Sequence, residues 1–285
     1  MSPTEYMLEN EAILLNEYRS GKFTFSSLAK KHNLDRSNFC RFMKRRGCKK
    51  SLYRKHIQKY SILDDFFEKI DNEEKAYFLG FLFADGYNNI KRGDINLRVS
   101  VIDKDIVFKF RSALGSNHPI RFIESNGFKN SQQIGLYICN KKISTDLEKN
   151  GCGKNKTHSC SFPLIQSALV KHFIRGYFDG DGSLSFTSQK ENYKAWLVNI
   201  CVNDAFGLEL SNIINSQLPI NLAFYPKREK QKNNISYCCL GGSKQVEILM
   251  DWLYSDCKVY LDRKYNKYLE LKNDRDYMRN SGRST

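Results

Sequence analysis

The chain has 285 residues, 41% hydrophobic and 27% charged, the balance of a soluble globular protein with room for two or three compact units. No stretch approaches the ~20 consecutive apolar residues of a membrane span, and the opening MSPTEYMLENEAILLNEY is acidic where a secretory signal would be basic. A net charge of +15 points to an anionic partner, with nucleic acid the first candidate.

Charge is concentrated at the start: residues 1–60 carry 14 Lys and Arg against 5 Asp and Glu, a net +9. Three short helices are expected across residues 9–46. NEAILLNEYRSG puts Ile13, Leu14 and Tyr18 on one face and stops at Gly21. TFSSLAKKHNL turns Leu28 and Ala29 inward. DRSNFCRFMKRRG is capped by Asp35, buries Phe39, Phe42 and Met43, and stops at Gly47. Two helices, a tight turn and a basic helix form a helix-turn-helix pattern. Arg36, Ser37, Asn38 and Arg41 lie early on the outward face of the last helix, where base edges are read. Lys44, Arg45, Arg46, Lys49 and Lys50 follow and suit phosphates. Residues 49–62 form a basic connector.

The nine cysteines cannot all pair. Cys139, Cys201, Cys238 and Cys239 fall in apolar segments and are expected to be small buried groups in a reducing, intracellular compartment. Cys152, His158 and Cys160 in CGKNKTHSC lack paired zinc-ligand spacing.

From residue 71 the pattern becomes helix, strand, strand, helix, strand, strand, helix. NEEKAYFLGFLFADG, with Asp71 or Asn72 as cap, opens it; a short stretch after Asp85, DINLRVSVI, IRFIES and QQIGLYICN are strands, and DKDIVFKFRSAL and KKISTDLEKNG are helices. After a polar linker at 150–163 the order repeats from ALVKHFIRGYFDGDG, through SLSFTS, AWLVNICVN, DAFGLELSNIINSQL, LAFYPKRE and ISYCCLGG, to SKQVEILMDWLY. A duplication at this period means two pseudo-symmetric αββαββα halves. The expected divisions are 1–60, 61–155 and 156–285, the last including a basic helical tail.

Both repeats open on a helix with small residues four apart, Gly80 and Ala84 in FLGFLFADG, Gly176 and Gly180 in IRGYFDGDG. Small residues at this spacing let two backbones approach closely, so each helix is expected to pack on the other. That packing brings Asp85 and Asp181 to the same end of two touching helices. There they meet the negative ends of both dipoles and each other, and a divalent metal with oxygen ligands would offset the repulsion. Gly86 and Gly182 are expected to end the helices in left-handed turns. Paired carboxylates, Mg²⁺ and a basic surface suggest phosphodiester hydrolysis.

The two segments resemble the motifs of LAGLIDADG homing endonucleases in the double-motif, single-chain form, over about residues 66–272. LYSDCKVYLDRKYNKY is similar to members with an N-terminal helix-turn-helix. The resemblance implies two sheets forming a saddle over double-stranded DNA, the motif helices as central interface, and Asp85 and Asp181 as ligands of Mg²⁺ or Mn²⁺. Motif one has Phe83 where motif two has Asp179, so Asp179 is a structural contact rather than a catalyst. The resemblance also places a basic residue where each half's last strand enters its last helix, offering Lys141 or Lys142 and Lys244. Arg98, Arg121, Gln189, Lys190, Lys227 and Arg228, on or beside the strands, are candidate DNA contacts. The expectation is a monomeric, metal-dependent endonuclease of a microbial, virus-infected or organellar setting that makes a staggered double-strand break. An RNA maturase and a DNA-binding regulator with an inactive nuclease fold are the rivals; an intein is disfavoured by Met1 and the SGRST ending.

Overall fold

The structure, a computed structural model, describes residues 2–20, 23–48, 60–124, 132–153, 161–188, 194–227 and 236–281. The chain divides into two units, 1–59 and 60–285.

In the first unit α1 (Pro3–Glu9) precedes the three expected helices, α2 (Glu11–Arg19), α3 (Phe25–Lys31) and α4 (Arg36–Arg45). Its signal was present in the sequence: Pro3 stands at the first position, and Ser2 and Glu5 form a reciprocal capping box. Met7, Leu14, Tyr18, Phe25, Leu28, Phe39 and Met43 form the core, while Ile13, expected inside, is 53% exposed. The buried stripe of α2 is narrow, and Ile13 lies about 100° round from Leu14. Between α3 and α4 the chain turns at residues 32–35, with Asn33 at φ 54°. Asp35 accepts from the Asn38 backbone N–H and starts α4.

The second unit holds both halves. The first runs α5 (Glu73–Asp85), β1 (Gly86–Asn89), β2 (Asp94–Ser100), α6 (Lys104–Ala113), β3 (Ile120–Glu124), β4 (Gln132–Cys139) and α7 (Lys141–Lys149). The second runs α8 (Val170–Asp181), β5 (Gly182–Ser188), β6 (Lys194–Val202), α9 (Asp204–Gln217), β7 (Ala223–Tyr225), β8 (Ser236–Gly241) and α10 (Ser243–Tyr254), followed by a tail helix, α11 (Asp262–Asn280). Each half forms a four-stranded antiparallel sheet, ordered β1-β2-β4-β3 and β5-β6-β8-β7. The same order in both sheets is the structural signature of the duplication. Asparagine caps recur: Asn72 on α5, Asn140 on α7 and Asn203 on α9 each accept a backbone N–H three residues on. Asp71 instead pairs with Lys75 at 2.9 Å.

α5 is apolar all round and Ala76–Phe83 are all buried, as befits the centre of a two-sided core. It packs along α8 at backbone contact. A Cβ at Gly80 would lie 2.0 Å from the Phe173 carbonyl oxygen, and one at Gly176 would lie 1.9 Å from the Tyr77 carbonyl oxygen. Each glycine thus admits the other helix's main chain where a side chain would stand. Gly86 and Gly182 follow the helices with φ −78° and −90°, extended rather than left-handed as expected. Their reason is space: added Cβ atoms would meet the Leu82 backbone at 2.7 Å and the Phe178 ring at 2.2 Å. The chain passes from helix straight into strand.

Gly80→Ala and Gly176→Ala should each destabilise the second unit by about 3 kcal/mol in denaturant unfolding. Gly241→Ala, where an added Cβ has no heavy atom within 4 Å, should stay within about 0.5 kcal/mol of the parent.

Candidate active site

The site begins at the two helix ends. Ala84 and Gly180 face each other: a Cβ at Gly180 would lie 2.2 Å from the Ala84 Cβ and 3.3 Å from Asp85 Oδ2. The Asp85 carboxylate therefore lies against the last turn of α8, one residue before Asp181. Asp85 is exposed and Asp181 half-buried, so both are open to solvent or ligand. Each sits at the negative end of its helix, an unfavourable placement of roughly 0.3–1 kcal/mol.

Two features offset this charge from within. Lys264, in the first turn of α11 and buried, donates to the carbonyl oxygens of Phe178 and Gly182, both at 2.6 Å. Its ammonium thus bridges a carbonyl in the last turn of α8 and the carbonyl just after Asp181, and both Asp179 and Asp85 favour its charged form. Burial outweighs them and pulls its pKa down to about 8. In the first half the corresponding carbonyl, that of Leu82, accepts from the Cys152 thiol at 3.6 Å. An ammonium supports one motif end and a thiol the other. The sequence showed Lys264 only as one of several basic residues in the tail.

Asp179 is a structural carboxylate. It is buried and accepts from Tyr77 Oη at 2.6 Å, Tyr254 Oη at 2.5 Å and the Leu261 N–H at 2.8 Å. Burial pushes its pKa up and also raises those of both tyrosines. One turn earlier Arg175, fully buried, donates to Glu73 Oε1 at 2.6 Å and to the carbonyls of Val259 and Leu253. Together these groups fasten residues 255–261 across the motif helices.

The lysines implied by the resemblance are not brought to the aspartates. Lys142 donates to Glu68 at 2.5 Å and Asp146 at 2.9 Å, and those hydrogen bonds hold its pKa well above the usual lysine range. Lys141 donates to the Ile90 carbonyl at the β1–β2 turn. β4 ends at Cys139, opposite Asp94 and three residues from the row of Gly86, about 10 Å away. Lys244 is placed equivalently: β8 ends at Gly241, three residues from the row of Gly182, and the neighbouring Ser243 bonds Trp196 and Lys194, which pair with Phe186 and Ser188, four and six residues along β5 from Gly182.

The sheet residues fare differently. Arg98 and Arg121 are both exposed and share one row across Gly135. Lys227 is exposed and lines a cleft with Asp181, Ser183, Asn199, Cys201, Tyr225, Tyr237 and Cys239. Cys201 and Cys239, expected to be buried, face this cleft, and Cys139 is exposed; only Cys238 of the four is buried. Alternation along the strand decides this, sending each residue's neighbours to the other face. Gln189, Lys190 and Arg228, like Lys49, Lys50, His158 and Cys160, lie outside the described residues. In the first unit Arg36, Ser37, Asn38, Arg41, Lys44 and Arg45 are all exposed along α4. Arg46, expected on phosphate, instead stacks on Phe42 at 3.5 Å and pairs with Glu11 at 2.5 Å.

The donor set at the helix ends consists of oxygens alone. Among the described residues no group of three or more His, Cys, Asp or Glu could hold a metal ion. Two carboxylates suit Mg²⁺ or Mn²⁺, which keep several waters and share ligands with phosphate, rather than zinc.

No family model matches the sequence, and no curated protein matches it. Solved structures do. I-SmaMI bound to its uncleaved DNA target with calcium ions aligns at TM-score 0.50 and 13% identity, over 74% of this chain and 93% of that one. The chain has the LAGLIDADG homing endonuclease fold. I-GzeII with its DNA target aligns at TM-score 0.48 and 10% identity, covering 74% of this chain and 93% of that one. Within the LAGLIDADG fold of this chain, Asp85 and Asp181 end the two motif helices. No helix among the described residues is long and apolar enough to cross a membrane.

Asp179→Ala leaves two buried hydroxyls and an N–H without their acceptor and should cost about 3–5 kcal/mol in denaturant unfolding. Lys264 is depressed in the folded state, so between pH 8 and 10.5 the unfolded chain binds the extra proton and the folded chain does not. Across that window the parent should gain up to about 3 kcal/mol relative to Lys264→Met, read from unfolding at each pH.

Proposed function

We propose that the chain is a site-specific DNA endonuclease that makes a staggered double-strand break with Mg²⁺ or Mn²⁺, one cut for each half. The observation that carries this reading is the pairing of Asp85 with Asp181. A duplicated helix, packed backbone to backbone, brings the two helix ends that carry these carboxylates together, with Asp85 Oδ2 against Gly180, beside sheet residues that are exposed.

Asp85 and Asp181 would hold the cation. When bound, it would supply positive charge to the scissile phosphate and lower the pKa of water there. Overall, hydrolysis would place a water oxygen on phosphorus, break one phosphorus–oxygen ester bond and pass the water's proton to the departing oxygen. Lys264 steadies the end of α8 so that Asp181 keeps its place during this exchange. Outward residues of the sheets, Arg98, Arg121 and Lys227 among them, would meet the duplex, whose phosphates give affinity and whose base edges give sequence.

The first unit would act as a second DNA-binding module, a helix-turn-helix whose α4 enters the major groove with Arg36, Ser37, Asn38 and Arg41 leading. Linking two modules raises affinity by effective concentration without new contacts in either. The eight described cysteines stand as thiols, which suits an intracellular, reducing setting.

A supercoiled plasmid library with Mg²⁺ tests the reading. The parent should linearise a subset of plasmids and lose that activity in EDTA. Asp85→Asn and Asp181→Asn should each lower double-strand cleavage at least about a hundredfold while leaving binding within about threefold. DNA binding without cutting by the parent would favour the regulator, and selective intron RNA binding without cutting would favour the maturase.

A further inference from the structure

The registers of the two sheets allow a residue-by-residue comparison. In the first, Gly86, Leu97, Leu136 and Ile120 stand side by side; in the second, Gly182, Ile200, Cys238 and Phe224 do. The next row, on the aspartate side of each glycine, faces outward. It is Arg98–Gly135–Arg121 in the first half and Cys201–Tyr237–Tyr225 in the second. In the second half this row shares a cleft with Asp181. By the same register Arg98 stands to Asp85 as Cys201 stands to Asp181.

Arg98 is exposed, so its guanidinium is presented to a ligand rather than to the core. Gly135, beside it, carries no side chain, and a Cβ there would crowd the Leu97 carbonyl at 3.0 Å and the Tyr137 ring at 3.2 Å. Gly135 is buried beneath the Tyr137 ring, and Arg98 and Arg121 stand exposed on either side of it, with Arg121 5.4 Å from the centroid of that ring. An exposed planar fork of N–H donors fits a phosphodiester oxygen pair. The second half has a thiol and two phenols in that row, and among the described residues lining its cleft the cation is Lys227, at the edge.

We infer that Arg98 binds the scissile phosphate served by Asp85, and that the Asp181 half works without a guanidinium at that place, so the two strand cuts rest on different cations. This rests on the endonuclease reading and deepens it. The sequence alone treats Arg98 as one of several duplex contacts; the register singles it out.

The test uses the full chain and a duplex recovered from the plasmid library, labelled on either strand. Arg98→Ala should slow the cut of one strand at least about tenfold and leave the other within about threefold, so that nicked circles accumulate from supercoiled plasmid. Arg98→Lys should restore part of the lost rate, because a point charge replaces the fork, and it provides a second variant should Arg98→Ala lose its fold by circular dichroism. Equal slowing of both strands, or no change in either, overturns the assignment while the cutting parent keeps the endonuclease reading intact. A parent that cuts neither strand overturns the endonuclease reading, and this inference with it.

Discussion

Two backbone carbonyls occupy the space where the side chains of Gly80 and Gly176 would be, and the second unit is arranged around that contact. Helices touching at this distance exclude larger side chains, so one alignment of α5 against α8 is strongly preferred. Their last turns then coincide, and the residues that end them, Asp85 and Asp181, become neighbours. The same alignment merges the two halves' apolar faces into one core running from Phe66 to Leu271. A shift along either helix would separate the carboxylates and drive a carbonyl into a Cβ or a ring.

Concentrating like charge at one place has a cost, and the surrounding charges are arranged to meet it. Lys264 comes from behind, onto the carbonyls that flank Asp181. Asp179 and Arg175, one turn apart on α8, take the opposite task of holding the connection before α11. That connection then reaches the first half, where Lys109 bonds the Tyr260 carbonyl and Asp262, and Arg263 forms two bonds with Asp103. The tail is thus a strap between halves, and it is also the element that supplies Lys264. Buried charges on it are all hydrogen-bonded, as a low-dielectric interior requires.

Duplication supplied the frame but did not preserve the details. Behind the first motif stands Cys152, behind the second Lys264; on the cleft side stands Arg98 in one half and Cys201 in the other. The core cation, Lys264, bonds carbonyls of the second motif's end and is favoured in its charged form by Asp85 of the first. An antiparallel register keeps equivalent places equivalent even where the residues have diverged, which makes such differences readable.

The sequence by itself determined the elements, their order and their repetition, because hydrophobic period, Asn and Asp caps and small-residue spacing act within a few residues. Gly80, Gly176, Asp85 and Asp181 were legible for that reason, as was the structural character of Asp179 from its mismatch with Phe83. The capping box of α1 is equally local. What tertiary structure alone decided was which charged side chains meet. Lys142 and Lys244 lie at the expected passage from strand to helix, yet Lys142 is held by Glu68 and Asp146, and Ser243, next to Lys244, is tied to Trp196 and Lys194 on β6. Lys264, 83 residues beyond Asp181 in the chain, lies under its helix end because the tail doubles back. Contacts of that range depend on how whole elements pack, and a long flexible side chain carries no local pattern that states its partner.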